Sequence, residues 1–199
     1  MSNDVVNKTR RNLLIGATTA VGAAGAVGIA VPFVGSWNPS AKAKAAGAPV
    51  KFNMSKIEPG AMVTVEWRGK PVYVVRRTPA ALASLKKVEE LGLVRDPKSE
   101  VPQQPKYAQN QGRSIKEEFA ILLGVCTHLG CSPLFRPDVG AADLGGDKWQ
   151  GGFFCPCHGS KYDLAGRVFF AVPAPINLEV PKHYYESESV VIIGEDQGA

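Results

Sequence analysis

All four cysteines of this chain, and two of its three histidines, fall in two six-residue stretches. They are Cys126-Thr127-His128-Leu129-Gly130-Cys131 and Cys155-Pro156-Cys157-His158-Gly159-Ser160. A 199-residue chain that gathers its soft ligands in this way is built to present a metal centre, a disulfide, or both. The side chains of Cys126 and His128 can converge on one metal from an extended or turning backbone, and those of Cys155 and His158 can do so across a tight turn. Four such ligands suit two kinds of centre. One is a tetrahedral zinc ion held by two cysteines and two histidines. The other is a two-iron cluster with the cysteines on one iron and the histidines on the other. Cys131 and Cys157 exceed what one tetrahedral ion needs. They can bridge the two loops or remain as free thiols, and a bridge closing a loop of about 25 residues is worth roughly 3–4 kcal/mol by chain entropy. Cys155-Pro156-Cys157 is one residue short of a redox-active Cys-x-x-Cys, so a catalytic dithiol is a poor reading.

The compartment bears on that choice, because disulfides persist outside the cytosol. Residues 1–12 are polar and carry Lys8, Arg10 and Arg11, whereas the 22 residues from Leu13 to Val34 carry no charge. As a helix this run spans about 33 Å, enough for a bilayer core of about 30 Å. Thr9-Arg10-Arg11-Asn12-Leu13-Leu14 resembles the twin-arginine export motif, in which paired arginines precede a mildly apolar segment. Cleavage after Ala41-Lys42-Ala43 or Ala43-Lys44-Ala45 is one reading, but the apolar run is longer than a cleavable signal needs. We therefore expect a cytoplasmic N-terminus at 1–12, an uncleaved transmembrane anchor at 13–35 and a flexible hinge at 36–49. A periplasmic head at 50–199 would follow, its cluster-binding part at about 120–175. The location is then a bacterial inner membrane, crossed once.

The head reads as mainly β. Gly 21 and Pro 15 favour short strands and many turns. Ala61–Trp67 and Pro71–Arg77, separated by Arg68-Gly69-Lys70, predict a hairpin. Thr78-Pro79 predicts a capped helix that runs to Leu91 and stops at Gly92. Phe119–Val125 is continuously apolar and predicts a buried strand that delivers Cys126. Gly166–Phe170, Leu178–Val180 and Val190–Ile193 predict further strands. His183 has no partner at ligand spacing and reads as structural or exposed. A net charge of +5 without a dense Lys/Arg run leaves no case for nucleic acid.

On these stretches the sequence resembles the Rieske iron–sulfur subunits of cytochrome bc complexes, in their proteobacterial form. The two Cys/His stretches match that family's cluster boxes. The arginine pair, apolar run and linker match its N-terminus, and Val172-Pro173-Ala174-Pro175 stands where the family has a proline loop, usually Gly-Pro-Ala-Pro. The resemblance implies an antiparallel β head with the cluster-binding loops at one end and one N-terminal transmembrane helix. It implies one [2Fe-2S] cluster with Cys126 and Cys155 on the inner iron and His128 and His158 on the outer. It pairs Cys131 with Cys157 as a disulfide and gives Ser160 and Tyr162 hydrogen bonds to the cluster sulfurs. Leu129 becomes an exposed apolar docking residue.

The partners implied are cytochrome b, a c-type cytochrome, ubiquinol and the membrane, in a complex expected to be dimeric. The activity implied is quinol–cytochrome c reduction, with His158 as the quinol contact and His128 beside it. A histidine ligand has a second ring nitrogen whose proton a bound metal makes more acidic, which suits a substrate that must lose an electron and a proton together. A soluble or separately acting Rieske-type electron carrier is the alternative, and a zinc-stabilised module without redox function is a more distant one.

Overall fold

The computed structural model describes residues 7–196. The chain divides between Ala45 and Ala46 into two compact units. The first is dominated by α1 (Lys8–Gly35), a single 28-residue helix. Asn7 caps it, its side chain accepting from Arg10 N at 3.1 Å. The helix begins five residues before the uncharged run, so the arginine pair forms part of its first turns. All its side chains are exposed, and it is long and apolar enough to cross a membrane. The hinge expected at 36–49 contains a short helix, α2 (Ala41–Ala46), in its Lys/Ala stretch.

The second unit stacks three antiparallel sheets of three strands each. The strands are β1 (Val50–Asn53), β2 (Met62–Trp67), β3 (Lys70–Arg76), β4 (Phe119–Leu123), β5 (Leu134–Arg136), β6 (Gly152–Cys155), β7 (Ser160–Tyr162), β8 (His183–Tyr185) and β9 (Val190–Ile193). They pair in the orders β1-β9-β8, β2-β3-β4 and β5-β6-β7. The middle sheet explains the apolar run before Cys126. On β3 and β4, Val72, Val74, Phe119, Ile121 and Leu123 pack with Val191 and Ile193 of the first sheet. Their alternate neighbours Tyr73, Val75, Ala120 and Leu122 pack with Phe153 and Tyr162 of the third. Side chains alternate along a strand, so a strand covered on both faces must be apolar at every position.

The hairpin β2–β3 and the helix α3 (Pro79–Glu90) lie where expected, with Thr78 Oγ1 accepting from Ala81 N at 3.1 Å and Gly92 at positive φ past the end. α3 buries Leu85 against Leu164 and Ala165, and Val88 against Trp149 and Phe169. Two expected strands are corrected. Gly166–Phe170 forms only isolated bridges, Val94 to Phe169 and Tyr162 to Val168. Leu178–Val180 is not a strand. In this stretch side chains replace a ladder: the Asn177 carboxamide accepts from Val168 N at 2.8 Å and donates to Asp96 O at 3.2 Å.

His183 is buried and structural. Its Nδ1 lies 2.8 Å from Pro181 O, so the proton sits on Nδ1, while Nε2 is buried without a hydrogen-bond partner. Burial holds the imidazole below its ordinary value of 6.5. The folded state thus favours the neutral ring, and the unfolded chain binds more protons just below pH 6.5. His183 should cost no stability above about pH 6.5 and progressively more as pH falls below it. Denaturant midpoints of the parent and of His183→Gln, compared from pH 7.5 to 5, should converge as acid is added. Parallel curves would refute a buried neutral ring.

Candidate metal centre

Box one leaves β4 through Gly124 and Val125, and box two lies between β6 and β7. The two loops close in the same way. Gly130 N donates to Cys126 O at 3.0 Å, and Gly159 N donates to Cys155 O at 2.9 Å. Each glycine lies four residues past a box's first cysteine and has positive φ, 85° and 79°, a conformation that glycine adopts at no steric cost. Box one is fastened again by Cys126 N to Cys131 O at 2.7 Å. Box two is fastened by the pairing of Cys155 with Ser160.

The loops meet at one end of the head. Cys131 and Cys157 are bonded to each other, with Cα atoms 6.7 Å apart. Cys126 and Cys155 are free and buried. The rings of His128 and His158 lie edge to face, with centroids 4.7 Å apart. His158 is exposed, His128 half-buried, and Leu129 is 70 % exposed. The structure therefore brings all four expected ligands together, thiols inside and imidazoles outside. The sulfurs of Cys131, Cys155 and Cys157 also lie within 4.8 Å of one another. Two of the three are consumed by the disulfide, so that trio is not a ligand set.

The buried cysteines differ in their surroundings. Burial pushes the Cys126 thiol up, but hydrogen bonds from the Tyr162 hydroxyl, the His128 backbone, Cys155 and Ser160 together outweigh it and hold Cys126 below the ordinary thiol value. Cys155 is raised, by burial first and by Cys126 second. Tyr162 is itself raised, first by burial. Its hydroxyl accepts from Thr127 N at 3.1 Å and lies 3.1 Å from Thr127 Oγ1 and 3.2 Å from Cys126 Sγ. Thr127 Oγ1 donates its own proton to Ile176 O at 2.7 Å. The Tyr162 proton thus has two takers, Thr127 Oγ1 and the sulfur, and an anionic sulfur is the stronger acceptor. Ser160 Oγ accepts from Ala174 N at 3.1 Å, which ties the proline loop to box two. A donor set of two deprotonatable thiols inside and two imidazoles outside, with hydroxyl donors behind a sulfur, fits a two-iron cluster. It also leaves both bridging cysteines outside the ligand set.

A profile of the Rieske [2Fe-2S] domain matches residues 49–182, and one of the ubiquinol–cytochrome c reductase iron–sulfur subunit twin-arginine signal matches residues 1–40. The chain belongs to the Rieske iron–sulfur family. The ubiquinol–cytochrome c reductase iron–sulfur subunit of Allochromatium vinosum is 58 % identical over all of this chain and 95 % of its own length. The subunit of the same name from Blastochloris viridis is 41 % identical over 97 % of each chain. A chain of a hyperthermophilic respiratory Complex III, 27 % identical, covers 90 % of this chain and 98 % of its own at a TM-score of 0.47. As a Rieske protein the chain carries one [2Fe-2S] cluster.

Residue order alone left two groups around the Rieske boxes unfound. Thr127 was visible only as a spacer inside box one, and its hydroxyl role depends on Ile176 lying opposite. Tyr73 is hidden in an apolar strand, yet its hydroxyl reaches Ser132 Oγ and Pro133 O, both at 2.7 Å. Close backbone approach is the other hidden constraint. A Cβ on Gly152 would stand 1.9 Å from Tyr162 O. Gly152→Ala must therefore force β6 away from β7 and with it Cys155 from Tyr162. We expect loss of bound iron per protein and a fall in stability of about 2–4 kcal/mol, read by metal analysis and denaturant unfolding. A variant with full iron and an unchanged midpoint would show that this approach is not needed.

Proposed function

We propose that this chain is the iron–sulfur subunit of a ubiquinol–cytochrome c reductase. In this reading α1 crosses a bacterial inner membrane once and the head works in the periplasm. It does so with cytochrome b and a c-type cytochrome, in a dimeric complex. The observation that carries the reading is the pairing of two closed Cys/His loops, buried thiols inward and imidazoles outward, in a Rieske chain similar along its whole length to subunits of that name.

Cys126 and Cys155 would hold one iron of the cluster, and His128 and His158 the other. When bound, the cluster supplies a one-electron acceptor between quinol and the c-type cytochrome. His158 is the more exposed imidazole. Its ring nitrogen left free of metal would accept the hydrogen bond, and then the proton, of the quinol hydroxyl. His128 completes the tip. Leu129, exposed at this end, docks against cytochrome b. Tyr162 and Ser160 donate to sulfur, which favours the reduced, more negative centre and raises its potential.

Membranes reduced with dithionite should give a Rieske-type EPR signal that changes on adding a quinol-site inhibitor. A signal indifferent to the inhibitor would favour a separately acting electron carrier, and no signal would remove the cluster. Tyr162→Phe should lower the midpoint potential by about 60 mV, the worth of one hydrogen bond of ~1.4 kcal/mol on a one-electron couple. Redox titration checks this, and an unmoved potential would free Tyr162 from the role.

The segment 36–49 is the tether on which the head moves between partners. Replacing Ala43 and Ala45 by proline breaks α2 and stiffens the connection. Quinol–cytochrome c turnover should then fall several-fold while the EPR spectrum stays as in the parent. Unchanged turnover would argue against a moving head.

A further inference from the structure

The roots of the two loops meet at one side chain outside both boxes. Tyr73 stands on β3 in the middle sheet, 4 % exposed, on the face turned toward β6 and β7. Its ring packs where Gly124 has no side chain: a Cβ there would lie 2.4 Å from the ring. Gly124 is two residues before Cys126. The same ring stacks on Phe153, centroids 5.6 Å apart and planes 10° apart, two residues before Cys155. Its hydroxyl lies 2.7 Å from Pro133 O and 2.7 Å from Ser132 Oγ, just past Cys131. One residue thus touches the chain entering box one, the chain leaving it and the strand entering box two.

The proton count makes this a specific device. Three contacts share two hydroxyl protons, because Ser132 Oγ also lies 3.1 Å from Gly124 O. Carbonyl oxygens only accept. Tyr73 therefore donates to Pro133 O and Ser132 to Gly124 O, and the contact between the two hydroxyls shares one of these two protons. The exit of box one is in this way latched to its entrance through Tyr73 and Ser132.

We infer that Tyr73 is a positioning residue for the metal centre: through its hydroxyl and Ser132 it holds the root of box one closed, and through its ring it seats that root on Phe153, and so Cys126 against Cys155. The inference rests on the ligand assignment proposed above.

The test uses the full chain in its membranes, with Tyr73→Phe, Ser132→Ala, the double variant, and Val191→Ala as a control. Val191 is buried on the opposite side of the middle sheet. The readouts are the EPR lineshape after reduction and the rate at which the signal is lost to an iron chelator. Tyr73→Phe keeps the ring and removes the latch. It should broaden the lineshape and speed loss about threefold, the effect of one neutral hydrogen bond. Ser132→Ala should act in the same direction. The double variant should change less than the product of the two, since they share a contact. Val191→Ala should lower the unfolding midpoint and leave the lineshape alone.

A parent without the signal overturns the ligand assignment, and the inference with it. A parent with the signal, and a Tyr73→Phe identical to it in both readouts, overturns the inference alone. So does a lineshape change of equal size in Val191→Ala, or a double variant equal to the product. If Tyr73→Phe accumulates no protein, Ser132→Ala decides by the same two readouts.

Discussion

The head is organised around a buried ion pair. Asp163 and Arg167 are both fully buried, with Arg167 Nε 2.7 Å from Asp163 Oδ2. The other Asp163 oxygen accepts from the backbone N–H groups of Ala165 and Arg167, at 2.9 and 2.8 Å. The turn that follows Tyr162 is thereby closed on itself. Two more buried guanidiniums grip it from outside. Arg113 donates to Ala165 O at 3.1 Å, and Arg77 reaches Leu164 O at 3.4 Å while holding Gly112 O at 2.7 Å. Arg167 extends to Leu85 O of α3 and to Glu89. Burial lowers Arg77 and Arg113 to about 10, which leaves both charged at neutral pH. Burying an ion pair gains little net stability. What this one gains is definition, because removing either partner would strand a charge where no water can reach it. Helix, middle sheet and box two are joined at a turn that leaves nothing adjustable next to Tyr162.

That rigidity matters because the two cysteine-bearing loops contain almost no regular structure. Each is a single closed turn with a positive-φ glycine, and neither has a core of its own. Their mutual position comes from three constraints with different physics. The disulfide ties their outer parts covalently. The Tyr162 hydroxyl reaches from box two to Thr127 and Cys126. The middle sheet brings up the end of β4 from below. A hydroxyl network of this kind is specific because its protons are few: Thr127 spends its own on Ile176 O, so it can only accept from Tyr162. The inner half of the centre is fixed and dry, and the outer half, with His158 and Leu129, faces solvent.

The parts of this arrangement that could be read from the sequence are those whose cause is local. The boxes stand out by residue type, and the arginine pair and uncharged run by charge. The β2–β3 hairpin and α3 announce themselves through a turn and a cap, and β4 through an unbroken apolar run. The strands β5, β6 and β7 did not, because they are three or four residues long and two of them begin or end in the boxes. Gly166–Phe170 looked like a strand because its apolar residues are real core: Val168 and Phe169 are buried. Its hydrogen bonds, however, go largely to partners that only the tertiary structure supplies. Arg77, Arg113 and Arg167 would ordinarily be placed on a surface, as arginine is almost never fully buried without partners. Only the fold shows the carbonyls waiting for them.

The same distinction separates the two kinds of histidine. His128 and His158 sit in surface loops, half-buried and exposed, so both keep side-chain atoms accessible. His183 is chemically identical, but Tyr107 and Tyr185 flank it and a backbone carbonyl fixes its tautomer. Its free nitrogen faces neither water nor a ligand. An imidazole serves proton chemistry only where a nitrogen can exchange with something outside the core. Spacing sets His183 apart in the sequence, and burial sets it apart in the fold: two imidazoles stand at the rim beside buried thiols, and the third is sealed in packing where a proton would only destabilise the fold.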